Sequence, residues 1–226
     1  MKRETVLEWI NREMVIAIIR GVEPGQMLDT ARAIKAGGIS NMEITFDHST
    51  PEGIGNTLES IRRVKAGLGD QVNVGVGTVL TTEEAELAAE AGAEYLISPG
   101  MDPAVIRRTK ELGKISIPGA LTPTEVCEAW DCGADIVKMF PAGVLGLEYL
   151  KAVRGPLRHI PMCAVGGINP ENIGLFLEAG IRCFGIGGNL VSVEAVRRGD
   201  FHKLTQAALG YRQAICRWQE NGRGER

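Results

Sequence analysis

No uninterrupted apolar run in this 226-residue sequence approaches the roughly 20 residues that a transmembrane helix needs. The N-terminus begins with a basic pair, Lys2 and Arg3, but Glu4, Glu8 and Arg12 interrupt any hydrophobic region of the kind found in a secretion signal. We therefore expect no membrane partner. We interpret the stretch as a short amphipathic helix that leads into a strand.

The sequence also lacks a large charge imbalance and any cysteine pair at CxxC spacing. A formal net charge of −3 argues against a protein that wraps nucleic acid by bulk electrostatics, so we expect no nucleic-acid partner. The odd number of cysteines, five, fits free thiols better than a disulfide framework. These features predict a cytoplasmic protein.

Several catalytic patterns are missing as well. The histidines, His48, His159 and His202, are scattered and lack the spacing of metal ligands. No Ser–His–Asp or Cys–His arrangement is suggested, and no GxGxxG motif follows the first predicted strand. We predict neither a metal ion nor an organic cofactor.

What is present is a repeat of three parts: a short apolar run, a turn rich in Gly, Pro, Ser or Thr, and an amphipathic segment. The runs predict strands at Val15–Ile19, Met42–Thr45, Val72–Val76, Tyr95–Ile97, Ile115–Ile117, Ile136–Met139, Met162–Val165 and Cys183–Ile186. The amphipathic segments predict helices near Pro24–Ala36, Pro51–Ala66, Thr82–Ala91, Asp102–Glu111, Thr122–Asp131, Leu147–Val153, Asn169–Ala179 and Val191–Arg198. Predicted helix caps are Thr82, Asp102, Thr122 and Asn169.

Glycines follow the helical segments at spacings of roughly 20 to 30 residues, the length of one βα unit. The strands are apolar on both faces, as in a parallel sheet that helices cover. The repeat predicts an α/β protein with a (β/α)8 TIM barrel and an N-terminal helix, in one domain spanning residues 1–226. An open doubly wound sheet is the alternative. The segment after Asp200 predicts a further helix with a frayed, polar end.

Three charged residues interrupt or end otherwise apolar strands: Arg20 in VIAIIRG, Glu43 in NMEITF and Lys138 in ADIVKMFP. In a barrel, polar residues at the C-terminal ends of strands face the active site. Because the three residues come from three different strands, we expect them to meet at that end.

Lys138 differs from the other lysines, which lie in predicted helices or turns. Its side chain should enter the barrel, where burial disfavours the charged form and leaves an amine able to attack a carbonyl carbon. The alternative is a structural lysine in a buried ion pair with Glu43.

Glu43 and Arg20 each allow two interpretations. A buried carboxyl such as Glu43 can move protons during a reaction, or it can simply balance the charge of Lys138 or Arg20. Arg20 can hold a carboxylate in a two-pronged geometry and so orient a 2-keto acid towards Lys138. It can equally be an arginine on the barrel rim.

The last two strands end in glycine-rich turns, VGGINP from Val165 and GIGGN from Gly185. Barrels often bind phosphate at such positions through backbone N–H groups. The alternative is tight turn geometry without a ligand.

With these residues in view, the sequence resembles the family of 2-keto-3-deoxy-6-phosphogluconate (KDPG) aldolase and 4-hydroxy-2-oxoglutarate (KHG) aldolase. The matching segments follow the family's order over nearly the whole chain. They are AIIRG, MEITF, VGVGTVLT, ISPG, IPGALTPTE, VKMFPA, AVGGINPEN and GIGGNL.

The resemblance implies a class I aldolase, a carbon–carbon lyase that acts on a small-molecule 2-keto acid without a metal and is typically a homotrimer. It implies that Lys138 forms the Schiff base and that Glu43 is the general acid/base, partly through a bound water. The other implied roles are carboxylate binding by Arg20, lining of the pocket by Thr78, Pro99 and Phe140, and binding of the distal phosphate by Gly166, Gly167 and Gly188.

The sequence departs from the gluconate-type pattern in three places. Phe46-Asp47-His48 stands where many members carry an arginine, which leaves the carboxylate to Arg20. Val165 replaces a threonine, as in galactonate-type relatives, and Asn189 replaces a phosphate-binding serine. Asparagine still donates hydrogen bonds.

Two other functions stay open on sequence grounds. One is a phosphate-binding barrel isomerase or epimerase in which Lys138 and Glu43 act only as base and electrostatic partner. The other is a non-catalytic sensor that recognises keto-acid phosphates through Arg20 and the glycine turns. Burying both a lysine and a carboxylate is costly, which disfavours a pure binder.

Overall fold

The computed structural model describes residues 1–221 and shows an α/β barrel of parallel strands. The strands are β1 (Val15–Ile19), β2 (Asn41–Thr45), β3 (Asn73–Gly77), β4 (Tyr95–Ile97), β5 (Ile115–Ile117), β6 (Gly119–Ala120), β7 (Val137–Met139), β8 (Met162–Val165) and β9 (Cys183–Ile186). Every predicted strand is confirmed, with ends shifted by at most one residue. β6 was not predicted.

Helices cover the outside of the sheet. They are α1 (Arg3–Glu13), α2 (Pro24–Ala36), α3 (Gly53–Leu68), α4 (Thr82–Glu90), α5 (Pro103–Glu111), α6 (Pro123–Asp131), α7 (Ala142–Arg154), α8 (Ile173–Glu178), α9 (Val193–Arg197) and α10 (Phe201–Asn221). A short 3-10 turn, Gly69–Gln71, precedes β3. The N-terminal helix and the helix after Asp200 are both confirmed. The predicted frayed end reaches past residue 221 and lies outside the described residues.

The strand pairing shows how nine strands form a barrel with eight strand positions. Its order is β5-β4-β3-β2-β1-β9-β8-β7-β6, and every pairing is parallel. β5 pairs with β4, β6 pairs with β7, and Pro118 alone separates them. Proline lacks the N–H that a strand ladder needs, so the fifth barrel strand is broken in two. The open doubly wound alternative is wrong.

Inward-facing side chains form a core of their own inside the barrel. Ile16, Tyr95, Ile97 and Ile117 are buried there with Val6 and Ile10 of α1. The N-terminal helix therefore closes the N-terminal end of the barrel. The opposite end is left for polar residues.

Some helix starts differ from the prediction. Thr81, and not Thr82, caps α4 by accepting a hydrogen bond from the Glu84 N–H. The predicted caps Asp102 and Thr122 are confirmed. Asn169 caps no helix, because its side chain instead accepts backbone hydrogen bonds within the turn before α8.

α7 begins earlier than predicted. Gly146, at φ 79°, interrupts the helical path, and the predicted segment Leu147–Val153 is the part that follows. Within residues 1–221, no helix combines the length and hydrophobicity that crossing a membrane requires.

Candidate active site

A cavity of about 470 Å³ opens at the C-terminal end of the barrel. Its walls contain every residue that the sequence singled out for the site: Arg20, Glu43, Thr78, Pro99, Lys138, Phe140, Val165, Gly166, Gly167, Gly188 and Asn189. Four further lining residues, Ile168, Gly185, Ile186 and Gly187, belong to the two predicted glycine-rich turns, and only Ile18 was not predicted. The strands thus bring the predicted residues to one place.

Lys138 lies in the middle of β7 and points into this cavity. Its neighbours in sequence, Val137 and Met139, pack in the outer core, because successive side chains of a strand point to opposite faces. Only 7% of Lys138 is exposed. Its Nζ lies 5.0 Å from the centre of the Phe140 ring, in cation–π range.

Glu43 is buried on β2, with 2% of its surface exposed. Its Oε2 finds no hydrogen-bond partner within residues 1–221. Burial raises the pKa of this carboxyl above its ordinary value, and the positive charges of Lys138 and Arg20 offset part of that rise. The carboxyl therefore holds a proton more readily than a solvated glutamate.

No ion pair of 4.0 Å or shorter joins Glu43 to Lys138 in the described part of the chain. A buried salt bridge with a purely structural role would bring the two charged groups into contact. The structure gives this interpretation no support.

Two glycines on β3 make room for the neighbouring side chains. A Cβ on Gly77 would lie 1.7 Å from Oε1 of Glu43, and a Cβ on Gly75 would lie 2.2 Å from the Tyr95 ring. The Glu43 carboxyl therefore occupies the space that any other residue at position 77 would fill. This role of Gly77 was not predicted, since only the register of β2 against β3 reveals it.

Arg20 follows β1 and is exposed at the rim of the cavity. Its Nη2 donates a hydrogen bond of 3.3 Å to Oγ1 of Thr78. Thr78 has φ 62°, in the left-handed region that costs a non-glycine residue roughly 1–3 kcal/mol. This unfavourable backbone places the hydroxyl beside the guanidinium of Arg20.

The two glycine-rich turns differ in what their glycines do. Gly166 and Gly167 have φ 95° and 74°, and a Cβ on Gly167 would lie 2.8 Å from Cα of Gly143 in α7. Turn geometry and packing thus account for this pair. In contrast, a Cβ on Gly187 or Gly188 would meet no atom within 4 Å, and neither has positive φ.

The side-chain amide of Asn189 already makes a hydrogen bond within the protein. Its Nδ2 donates to the carbonyl of Ile168 at 3.1 Å. His48 likewise bonds elsewhere, to Oε1 of Glu84 at 2.8 Å, and does not line the cavity. Within residues 1–221, no three His, Cys, Asp or Glu side chains come together in a way that could hold a metal ion.

A family model for KDPG and KHG aldolase matches residues 6–207. The chain belongs to this aldolase family. The chain is therefore an enzyme, a carbon–carbon lyase. This family membership favours an aldolase over an isomerase and over a non-catalytic sensor.

Named relatives and solved structures agree with this family. The chain is 30% identical over 210 residues to 2-dehydro-3-deoxy-6-phosphogalactonate aldolase of Escherichia coli (strain K12), covering 92% of this chain and 100% of the relative. It is 33% identical over 207 residues to a probable enzyme of the same name from Rhizobium meliloti (strain 1021), covering 91% and 94%. The structure of KDPG aldolase from Legionella pneumophila, with pyruvate captured as a covalent carbinolamine, superposes with a TM-score of 0.82. That pair is 27% identical, and the match covers 93% of this chain and 98% of the other.

In this aldolase, we expect Gly77→Ala to lower kcat by at least about tenfold, because the added methyl group displaces the Glu43 carboxyl. Steady-state release of pyruvate measures the effect. The matched control is Gly55→Ala on α3, where a Cβ meets no atom within 4 Å, and its kcat should stay near that of the parent. An unchanged kcat in Gly77→Ala would show that the position of Glu43 does not limit the reaction.

Proposed function

We propose that this enzyme is a class I aldolase in which Lys138 forms a Schiff base with a 2-keto acid. The observation that carries the proposal is the placement of Lys138. Among the residues described, it is the only buried lysine, and it lines the same cavity as Glu43 and Arg20. The Legionella relative, in which pyruvate was captured as a covalent carbinolamine, agrees with this chemistry.

The proposed reaction begins with addition of the Lys138 amine to the C2 carbonyl, followed by loss of water to give an iminium. Removal of the C4 hydroxyl proton then breaks the C3–C4 bond, and its electron pair passes to the iminium to form an enamine. The aldehyde leaves. Protonation of C3 and hydrolysis of the iminium release pyruvate and restore the amine.

Glu43 moves the protons of these steps in our proposal. A general acid/base works best when its pKa lies near the working pH, and burial raises the pKa of Glu43 in that direction. Its Oε2 accepts no hydrogen bond from residues 1–221, so it is available to a substrate hydroxyl or a water. Thr78, Pro99 and Phe140 complete the wall of the pocket.

Arg20 binds the substrate carboxylate in our proposal, held towards the cavity by Thr78. The distal phosphate lies at the second glycine turn. Neither the backbone conformation nor the packing requires glycine at Gly187 or Gly188. A bulky anion that approaches the backbone closely does require glycine there. Gly166, Gly167, Val165 and Asn189 form the adjoining wall.

The proposed substrates are KDPG, its galactonate epimer and 4-hydroxy-2-oxoglutarate, cleaved to pyruvate and either glyceraldehyde 3-phosphate or glyoxylate. The named relatives act on the galactonate and gluconate compounds. Val165, which lines the cavity, matches the galactonate-type pattern of the sequence.

Pyruvate release from this panel of substrates tests the proposal. We expect kcat/KM for the phosphorylated sugar acids to exceed that of their unphosphorylated forms by at least about tenfold, because backbone N–H groups at the glycine turn bind the phosphate. The variant Gly188→Asp folds without a clash, since a Cβ there meets no atom within 4 Å.

The aspartate should repel phosphate and should remove most of this preference, while unphosphorylated 2-keto-3-deoxygluconate reacts as before. Equal kcat/KM values with and without phosphate in the parent enzyme would show that the glycine turn is not a phosphate site. No pyruvate from any member of the panel would overturn the substrate class.

We also propose that one domain spanning residues 1–226 carries the reaction, in a cytoplasmic homotrimer. Free thiols at Cys127, Cys132 and Cys216 suit a reducing compartment. Exposed apolar side chains, of which Val144 is 84% exposed, suit an interface between copies. Light scattering on the purified protein should give a molar mass near three times 24.3 kDa, and a monomer mass would refute the trimer.

A further inference from the structure

A second pocket, of about 150 Å³, lies at the N-terminal end of the barrel, opposite the aldolase cavity. We call it the lower pocket. Its apolar floor is formed by Ile136, which directly precedes β7, and by Met162 and Cys183, which begin β8 and β9. The remaining walls come from α1, the end of α7, the segment between α7 and β8, and the turn after α8. They are Asn11, Arg154, Arg158, His159, Ile160, Pro161, Gly180 and Arg182.

The lower pocket is rich in cationic groups and lacks a carboxylate. The guanidinium groups of Arg154, Arg158 and Arg182 line it beside the His159 ring, but no acidic residue does. Within residues 1–221, none of the three arginines lies within 4.0 Å of a carboxylate oxygen. Other arginines of the same chain do find acidic partners, including Arg3, Arg12, Arg32, Arg63, Arg108 and Arg198. The lower pocket therefore concentrates uncompensated charge in a chain whose net charge is negative.

The protein holds the guanidinium of Arg182 in place and leaves room for that of Arg154 over a glycine. Arg182 donates to the carbonyl of Ile181 at 3.0 Å and lies 4.7 Å from the Trp218 ring. The guanidinium of Arg154 occupies the space above Gly180, where a Cβ would lie 2.4 Å from Cζ of Arg154. A larger residue at position 180 would push Arg154 away from the pocket.

Arg154 and Arg182 repel each other. Burial lowers the pKa of Arg182, and the neighbouring guanidinium of Arg154 lowers it further. Two like charges converging on one pocket are unfavourable unless an anion lies between them. Arg154 and Arg158 also make no side-chain hydrogen bond to residues 1–221, so their donors are available.

We propose that the lower pocket binds a small multivalent oxyanion, such as inorganic phosphate or the phosphate group of a small metabolite. Guanidinium groups present planar pairs of N–H donors that match phosphate oxygens. The volume exceeds the roughly 30 Å³ that one water occupies in the liquid, and so admits such an ion. A pocket of this size has no room for a helix or a strand of a protein partner.

This site is separate from the proposed phosphate position in the aldolase cavity. The two pockets share no lining residue and lie at opposite ends of β7, β8 and β9. A variant can therefore remove one anion site and leave the other.

Equilibrium dialysis with radiolabelled inorganic phosphate tests the proposal, with potassium chloride holding the ionic strength constant. Gly188→Asp serves as the background because its added carboxylate is expected to repel phosphate from the aldolase cavity. We expect this protein still to bind phosphate. Arg154→Gln with Arg158→Gln should then weaken binding by at least about tenfold, equivalent to roughly 1.4 kcal/mol.

The matched control is Arg62→Gln, an exposed arginine on α3 outside both pockets, and phosphate affinity should be unchanged in it. Neither Arg154 nor Arg158 anchors the fold by a side-chain hydrogen bond, so the double variant should retain its circular dichroism spectrum.

Three outcomes would overturn the proposal. Phosphate binding could persist unchanged in the double variant, or Gly188→Asp alone could abolish it. Alternatively, chloride at equal ionic strength could compete as well as sulfate does, which would show charge screening and no specific oxyanion site. The proposal does not depend on the aldolase mechanism, so its failure would leave that mechanism untouched.

Discussion

Lys138→Met is expected to lower kcat for pyruvate release by at least about 10⁴-fold, because methionine fills the same volume but has no amine to attack the keto carbon. The cavity should keep its shape, since a long apolar side chain suits the 7% exposed position beside Phe140. A coupled assay that reduces pyruvate measures the loss.

Lys138→Arg separates the role of the amine from that of the charge. Arginine keeps a positive charge opposite Glu43, but its guanidinium does not form an imine with a ketone. If Lys138 only balanced Glu43, as in the ion-pair interpretation, the arginine variant would keep most of the activity. In our proposal it is as inactive as the methionine variant.

Reductive trapping identifies the bond itself. Sodium borohydride added with labelled pyruvate should leave a permanent label on Lys138, located by peptide mass spectrometry. Lys114→Met, which replaces a partly exposed lysine near Glu94 that does not line the cavity, is the control and should be labelled as in the parent. Label on any lysine other than Lys138, or no label, would refute the proposed nucleophile.

The barrel could be predicted from the sequence because each βα unit has the same local sequence pattern. A run of β-branched residues, a turn and an amphipathic segment recur along the chain, and each part reports a short-range preference. No comparable sequence pattern marks the break of the fifth barrel strand at Pro118. Ile115–Ala120 contains an isolated proline, and only pairing with two different neighbours shows that one barrel strand is divided into β5 and β6.

The charged site residues were predictable for a related reason. Lysine and glutamate are rare on buried strands, so Lys138 and Glu43 stand out against apolar neighbours. The alternation of β7 then assigns Lys138 to the inside of the barrel. Arg20 could be predicted from its position at the end of β1, although its contact with Thr78 could not.

The residues that shape the cavity were harder to identify. Gly77 matters because of the side chain that lies beside it on another strand, and Gly187 because of the space that surrounds it. Local sequence patterns record neither relation, since both depend on how separate strands and turns come together in the fold. The lower pocket is a similar case, because Arg154 and Arg182 meet only in the folded protein.

Glu43→Gln carries the second large effect, an expected fall in kcat of about 10²–10⁴-fold. Glutamine keeps the size and polarity of the side chain but cannot exchange a proton at the raised pKa that burial gives Glu43. Lys138 remains in place, so borohydride should still trap pyruvate on it, though more slowly. Glu84→Gln is the matched control, a buried glutamate outside the cavity, and its kcat should stay within about twofold of the parent.

The stability of the same variant tests the electrostatic reason for this effect. Because folding raises the pKa of Glu43, the folded state holds its proton more tightly than the unfolded state. The stabilisation is therefore present at low pH and is lost as the pH rises through the raised pKa, where the protein must bury a charge. Glutamine has no such charge, so Glu43→Gln should gain in Tm relative to the parent as the pH rises, and the gain should vanish in acid. A Tm difference that is independent of pH would mean that Glu43 does not titrate as a buried carboxyl, and the proton shuttle would have to be another group of the cavity or a bound water.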